Sequence, residues 1–290
     1  MSLYCIGNFD GVHPGHAWLI RQAQSRGQDV RVLTFDPHPR RFFVTDTRPF
    51  YLTNARQRER YLHDLGVRDV VSLRFDENLA NLSALEFAQT IIHQKLGATA
   101  IVAGQNFHFG KDRKGNMDLL THLGRDLGFE VYSLDLQDQD GQVLSSSRIR
   151  KLIEGGAYAT AQALWGRNFV LEGSVQQGDQ LGRTLGFPTA NLDFGAYLRP
   201  AFGVYASRAT LPDGRIRDSV TNLGRRPTVG GAQDRFETHL FDFSEDLYGQ
   251  IMSVELVGFI RAEQRFDGLN ALKSQIAVDC KAARFMLGQL

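Results

Sequence analysis

Short apolar runs and stretches of helical rhythm take turns through the first half of the chain. Leu3–Ile6, Val30–Phe35, Val70–Leu73, Ala100–Gly104 and Glu130–Leu134 are compact runs of the length and composition of buried strands. Between them the apolar residues recur at helical spacing, over Ala17–Ala23, Arg56–Leu65, Ala84–Leu96 and Met117–Leu127. Gly66 and Gly97 follow two of these stretches directly and stop them. Strand and helix in alternation predict a doubly wound, Rossmann-like parallel sheet with helices on both faces, and ligands then bind beyond the carboxyl ends of the strands. Ser147–Leu164 reads as two short helices broken at Gly155-Gly156 and ended at Gly166. Beyond it the helical rhythm disappears. Strand-like runs replace it at Phe169–Val175, Gly203–Ala209, Asp218–Asn222, Arg235–Phe243 and Met252–Val257, before a last helix over Leu269–Leu287. The pattern predicts two domains, an α/β domain over 1–166 and a small antiparallel β-barrel with a terminal helix over 167–290.

Chemistry concentrates in two glycine-rich segments. The first, Gly7-Asn8-Phe9-Asp10-Gly11-Val12-His13-Pro14-Gly15-His16, joins the first strand to the first helix. Such a turn presents backbone N–H groups and the positive end of a helix dipole, a natural seat for phosphate. His13 and His16 are three residues apart and fall on one face of the opening turn. Gly15 between them has no Cβ, which opens the backbone to a ligand. The second segment runs Gly182-Arg183-Thr184-Leu185-Gly186-Phe187-Pro188-Thr189-Ala190-Asn191. With Gly178 its glycines can wrap phosphates in N–H groups. Thr189 and Asn191 offer two hard oxygens on one side of an extended chain, a donor pair suited to Mg²⁺. Gly104–Lys111 only superficially suggests a phosphate loop. Five residues separate its glycines and Asp112 follows the lysine, so the Walker A pattern fails. Ser145, Ser146 and Ser147 precede a helix, where hydroxyls serve as N-caps.

Composition narrows the class without naming it. The 290 residues carry a net charge of +1, 42% hydrophobic and 22% charged residues, so no global field argues for nucleic acid or an acidic membrane. Two cysteines, Cys5 and Cys280, lie near opposite ends and suggest no disulfide framework or metal cluster; a reducing cytoplasm is expected. No signal peptide and no run long enough to span a membrane is expected either.

Taken whole, Gly-Asn-Phe-Asp-Gly-Val-His-x-Gly-His resembles the adenylyltransferase half of bacterial bifunctional riboflavin kinase/FAD synthetases, within the His-x-Gly-His nucleotidyltransferases. Gly182–Asn191 resembles the Mg-ATP motif of riboflavin kinases, and Phe236–Phe243 the strand bearing that family's catalytic glutamate. The resemblance spans nearly the whole chain. It implies phosphorylation of riboflavin to FMN and adenylylation of FMN to FAD, with ATP as co-substrate and Mg²⁺ as cofactor. His13 and His16 would stabilise charge at the α-phosphate, with Gly7, Phe9, Gly15, Ser146, Ser147 and Arg150 around ATP. In the kinase half it implies Gly178, Gly182, Arg183 and Gly186 around ATP, Thr189 and Asn191 on the metal, and Glu237 as general base. Flavin contacts are expected from Asn106, Phe107 and Arg261. His108 stands where the family often has Arg, and His38 is expected to be structural. Two rivals are a nucleotidyltransferase of the same superfamily with another acceptor, which the barrel motifs oppose, and a non-catalytic flavin carrier, which has no need of His13, His16, Thr189, Asn191 and Glu237 together.

Overall fold

The computed structural model describes residues 2–27, 29–44, 48–135, 144–178, 181–228 and 231–288. The chain divides into two compact units. Residues Met1–Arg48 and Asn54–Ser146 form the first; Pro49–Thr53 and Ser147–Leu290 form the second.

In the first unit the chain runs β1 (Leu3–Ile6), α1 (Pro14–Gln24), β2 (Val30–Asp36), α2 (Pro39–Phe43), α3 (Ala55–Asp64), β3 (Asp69–Arg74), α4 (Glu77–Asn81) and α5 (Ala84–Glu86). A π-helix over Phe87–Lys95 follows, then β4 (Ala100–Gly104), α6 (Met117–Leu127) and β5 (Glu130–Leu134). The five strands form one sheet in the order β3-β2-β1-β4-β5, and every pair is parallel. Strand β1 is buried throughout because both its faces are covered. Leu3 and Cys5 face a core that includes Leu19 and Ile20 of α1 and Leu62 of α3. Tyr4 and Ile6 face another, with Ile92 of the π-helix and Leu120 of α6. The expected helix over Ala84–Leu96 is α-helical for its first turn only. A capping box between Ser83 and Glu86 starts it, and the bonding then widens, with the Leu96 N–H donating to the Ile91 carbonyl five residues back. In this wider register Phe87, Ala88 and Ile92 all reach the core.

The second unit contains α7 (Ser146–Glu154), whose first residue belongs to the first unit, and α8 (Tyr158–Trp165). Then come β6 (Phe169–Gln176), α9 (Leu181–Leu185), β7 (Ala190–Asp193), β8 (Gly203–Thr210), β9 (Ile216–Thr228), β10 (Gly231–Leu240), β11 (Ile251–Ala262) and α10 (Leu269–Met286). Six strands close into an antiparallel barrel in the order β10-β7-β6-β11-β8-β9. Its core takes alternate residues of each strand, among them Phe169, Leu171, Ala190, Leu192, Tyr205, Leu223, Phe236 and Leu240. Hydroxyls enter the interior as well. Ser207 is bonded to Ser219 (2.8 Å) and Thr221 (2.7 Å), and Thr221 to Thr238 (2.9 Å); all four are fully buried. On the outside, α10 covers Val204, Ala206, Val220 and Phe241 with Ala283 and Leu287. Strand β10 stops at Leu240, short of the expected Phe243, and Asp242 turns the chain away at φ 53°. No helix among the described residues is long and apolar enough to cross a membrane.

The segment Pro49–Thr53 joins the barrel unit from far upstream. The N–H groups of Phe50 and Tyr51 both donate to the Ala196 carbonyl, the Leu198 N–H donates to Tyr51, and Leu52 is fully buried in the barrel core. Helices α7 and α8 contribute Ile149, Ile153, Tyr158, Ala161 and Trp165 to the same core. A fragment of residues 147–290 should therefore melt more than about 10 °C above one of 167–290, the shift for about 3 kcal/mol in a domain of this size. Both lack Pro49–Thr53, so the difference isolates the two helices. Equal midpoints by circular dichroism would show that the barrel does not depend on them.

Candidate active sites

In the first unit, β1 ends at Ile6 and the chain turns into α1 through a constrained backbone. Phe9 (φ 51°), Gly11 (φ 82°) and Val12 (φ 40°) all adopt positive φ. For Val12, a β-branched residue, that conformation is strained. Burial holds it: Phe9, Asp10 and Val12 are at most 1% exposed. The turn is tied from three sides. The Gly7 N–H donates to Leu33, the Thr34 hydroxyl to the Asn8 carbonyl (3.0 Å) and the Ser146 hydroxyl to the Asp10 carbonyl (2.8 Å).

His13 is the N-cap residue of α1 and His16 lies in its first turn, which holds no acidic residue. The two imidazoles stack with centroids 3.7 Å apart, and His16 also meets the Phe9 ring at 4.9 Å. The His13 N–H donates to Nδ1 of His16 at 3.3 Å. With Nδ1 accepting, the proton of His16 resides on Nε2, which becomes the donor. His13 is buried and His16 half-buried. The neighbours differ from expectation in one respect. A Cβ at Gly15 would stand 3.2 Å from the His13 ring and 3.5 Å from Leu144, so the glycine makes room for the imidazole itself. Gly7 likewise leaves its space to the Phe9 ring (3.2 Å). Phe9 is core, supporting His16 from below.

Beyond β4, Asn106 is exposed, and Phe107 stacks on Phe109 (5.6 Å, 12°), which is buried against Phe87. His108 directs Nδ1 to the Asn106 carbonyl at 3.0 Å. His38 caps α2, its Nδ1 accepting from the Arg40 N–H. Ser147 and Arg150 fall in the second unit. Ser147 is exposed, whereas Arg150 is buried, with Nε donating to the Phe50 carbonyl (3.0 Å) and its guanidinium 3.8 Å over the Phe50 ring. Burial pushes the Cys5 thiol well above its ordinary range, which leaves it a packed side chain.

In the barrel, cross-strand register assembles the second centre. Asn191 of β7 lies opposite Glu237 of β10, and Glu237 opposite Asn222 of β9. Alternation turns Phe236, Thr238 and Leu240 into the core and leaves Glu237 and His239 outside it, both partly accessible. Ala190 likewise points inward between Thr189 and Asn191. Gly178 and Gly182 bracket this pair. A Cβ on Gly178 would come within 2.4 Å of the Asn191 amide, and one on Gly182 within 2.4 Å of the Phe187 carbonyl and 3.4 Å of the Thr189 hydroxyl. The expected open glycine loop carries the helical turn α9, on which Arg183 is exposed, and Gly186 ends that turn at φ 89°. Residues 179–180 of the loop lie outside the described residues.

Sequence reasoning missed two neighbours of Glu237. Arg235, two residues away on the same face, places NH1 3.3 Å from Oε1 of Glu237. Asn222 completes the polar row, and only the strand register reveals it. Arg261 grips buried Asp279 of α10 through two bonds of 2.8 and 2.6 Å, with Gln275 on the same carboxylate. Its charge ties β11 to the helix.

Residues 2–148 match the family model described as FAD synthetase, and residues 165–287 match the one described as riboflavin kinase. The chain is 39% identical over 287 residues to the bifunctional riboflavin kinase/FMN adenylyltransferase of Escherichia coli strain K12, covering 98% of this chain and 92% of that one. The Pseudomonas fluorescens protein of the same name is 39% identical over 284 residues, covering 96% and 91%. A solved structure described as a macrolide-efflux protein from Streptococcus pneumoniae superposes with a TM-score of 0.86 at 32% identity, covering 98% and 93%.

His239 holds the corner that presents Thr189. Its Nδ1 lies 2.8 Å from the Pro188 carbonyl and its ring meets Phe187 edge-on at 5.5 Å. Burial lowers its pKa below the ordinary 6.5, against the Pro188 hydrogen bond, which raises it. The folded barrel therefore binds this proton less readily than the unfolded chain does. The stabilisation is complete above pH 6.5 and is lost as pH falls through the folded-state midpoint. An NMR titration should place His239 below 6.5, and His239→Gln should flatten the acid limb of barrel stability over that window. A midpoint at or above 6.5 would contradict the buried geometry.

Proposed function

The chain belongs to the bifunctional riboflavin kinase/FMN adenylyltransferase family, phosphorylating riboflavin to FMN and adenylylating FMN to FAD with release of pyrophosphate, and we propose which of its residues do so. The observation that carries the kinase assignment is the register of β7, β10 and β9, which aligns Asn191, Glu237 and Asn222.

In the barrel, Glu237 accepts the proton of the ribityl 5′-hydroxyl while that oxygen bonds to the γ-phosphorus of ATP. The bond to the bridging oxygen breaks and ADP leaves with the electron pair. Arg235 keeps the carboxylate pointed along the face. Gly178, Gly182 and Gly186, with Arg183, receive the nucleotide. The residues present also fit a magnesium ion. The Thr189 hydroxyl and the Asn191 carbonyl are hard neutral oxygens, packed against glycines that admit no side chain. Two neutral oxygens leave a cation held here to take most of its coordination from ATP phosphates and water, the habit of Mg²⁺. When bound it neutralises phosphate charge. Arg261 acts by holding α10, the region expected to pack on the flavin.

In the first unit the FMN phosphate attacks the α-phosphorus of a second ATP and pyrophosphate departs. His16 donates from Nε2 to charge developing on the phosphoryl oxygens, and His13, stacked beside it, orients the ring. The strained turn and the N-terminus of α1 supply fixed N–H dipoles, so positioning two anions accounts for much of the rate. Ser146 steadies the turn through the Asp10 carbonyl. Asn106 and Phe107 take the flavin beyond β4. The proposed compartment is the cytoplasm, which suits the two free thiols.

Substitution separates the two centres. His16→Ala should slow FAD formation from FMN by about 10²–10³-fold, the usual loss on removing one preorganised donor. Riboflavin phosphorylation should continue, so FMN accumulates on chromatography. Equal loss of both activities would make His16 a residue of the fold.

Glu237→Gln keeps size and hydrogen bonding while removing proton acceptance. FMN formation should fall by about 10²–10⁴-fold, with ATP binding little changed. Supplied FMN should still be converted to FAD. Near-normal kinase turnover would remove Glu237 from the mechanism.

A further inference from the structure

Arg58 stands in the first turn of α3 and is only 2% exposed. Its backbone N–H donates to the Asn54 carbonyl (3.0 Å). Among the described residues no carboxylate, hydroxyl, carbonyl or ring partners its guanidinium, and its nitrogens are not among the enclosed unbonded atoms, so the stem is buried while the head keeps an edge toward solvent. Every other buried arginine position described, Arg150, is held by a carbonyl and an aromatic face. A guanidinium on a buried stem, with no counter-charge from the protein and an edge open to solvent, is a fixed fork of donors that an anion can reach.

The fold says which edge the charge occupies. Arg58 precedes Leu62 by four residues and lies on the same stripe of α3. Leu62 is fully buried in the cluster with Phe9, Val12, Leu19 and Ile20, so that stripe faces α1 and the turn leading into it. Helix α3 returns from the carboxyl end of β2 to the start of β3, parallel and adjacent strands. Its first turn therefore lies at the carboxyl edge of the sheet. The first turn of α1, which follows β1, lies at that same edge beside it. Leu62 is thus in the body of the core, and Arg58, one turn nearer the edge, is at the level of His13 and His16. Neither helix has an acidic residue in its own first turn, so neither positive helix end carries a carboxylate of its own.

We propose that Arg58 binds the phosphates of ATP that leave as pyrophosphate in the adenylyl transfer. The inference rests on reading His13 and His16 as the adenylyl-transfer site. The guanidinium offers a planar fork of donors for phosphate oxygens, at an edge where two helix N-termini already favour negative charge. It adds no bond-making step. It stabilises the β- and γ-phosphates as the bond from the α-phosphorus to its bridging oxygen breaks.

The test uses the full chain with Arg58→Met, which keeps the aliphatic stem and removes the charge, and Arg58→Lys, which keeps the charge without the fork. FAD formation from FMN is followed with ATP and FMN varied separately and with added pyrophosphate. Riboflavin phosphorylation serves as the internal control, and melting is recorded with and without pyrophosphate. In Arg58→Met the KM for ATP and the inhibition constant for pyrophosphate should rise about tenfold or more, with the KM for FMN unchanged. Arg58→Lys should fall between Arg58→Met and the parent. Without ligand Arg58→Met should melt at or above the parent temperature, because the unpaired charge is gone, and pyrophosphate should stabilise it less. Unchanged ATP and pyrophosphate constants would overturn the proposal. So would a rise confined to the KM for FMN, which would place the flavin phosphate there instead. A lowered melting temperature with both activities falling together, in Met and Lys variants alike, would make Arg58 a structural cation and overturn it too. A parent chain that forms FMN but no FAD from FMN and ATP would overturn the underlying reading of His13 and His16, an outcome distinct from the other three.

Discussion

The ladder between β7 and β10 sets Asn191 opposite Glu237, and a slip of β10 by one residue would turn Glu237 into the barrel. The cost of that slip is what keeps the face intact. Inside the barrel, Thr238 and Thr221 close a run of hydroxyl bonds that continues through Ser207 to Ser219. Shifted by one, Glu237 would enter the apolar interior in place of Thr238, and Phe236 and Leu240 would leave it. A buried carboxylate without a partner is far more costly than a lost strand bond. The packing and hydroxyl bonds inside the barrel therefore specify the exterior row, and the proposed kinase site depends on an alignment secured from the other face of the same strands.

The adenylyl-transfer unit solves a related problem with backbone. Its turn must bring an unpaired helix end and two imidazoles to one place, so it adopts left-handed conformations at Phe9 and Val12 that cost energy. Burial of both side chains and the ties from Thr34, Leu33 and Ser146 offset that strain. The glycines flanking the turn serve the protein before they serve a ligand: Gly15 admits the His13 ring and Gly7 the Phe9 ring. The two centres thus share a logic. In the proposed sites phosphate would be met by fixed dipoles, neutral oxygens and very few charges.

Several residues changed meaning once placed. Arg150 and Arg261, both expected at ligands, have their guanidinium groups engaged by Phe50 and Asp279. Arg58 lies within the expected helix Arg56–Leu65, and like Arg150 it is buried, but with no aromatic face or carbonyl against its head among the described residues. Its spacing from Leu62 was visible in the chain, but an arginine within an apolar stripe is often a stem lying along the surface, so spacing alone could not show how deeply this side chain is buried.

What the linear chain determined was local. Strands and helices of the first unit followed from run length and period, because those signals reside in a few neighbouring residues. The turn at Gly7–His16 and the segment Gly182–Asn191 were legible because a phosphate site of the proposed kind uses contiguous backbone. The alternation that sets Glu237 apart from Phe236 and Thr238 was legible for the same reason. What only the tertiary structure decided were relations between distant residues: Glu237 beside Asn191 and Asn222, the hydroxyl run behind them, Leu52 in a core assembled from residues after 148, and the burial of Arg58. Such relations depend on strand register and on which helix covers which face, and neither is encoded within the reach of a single turn or strand.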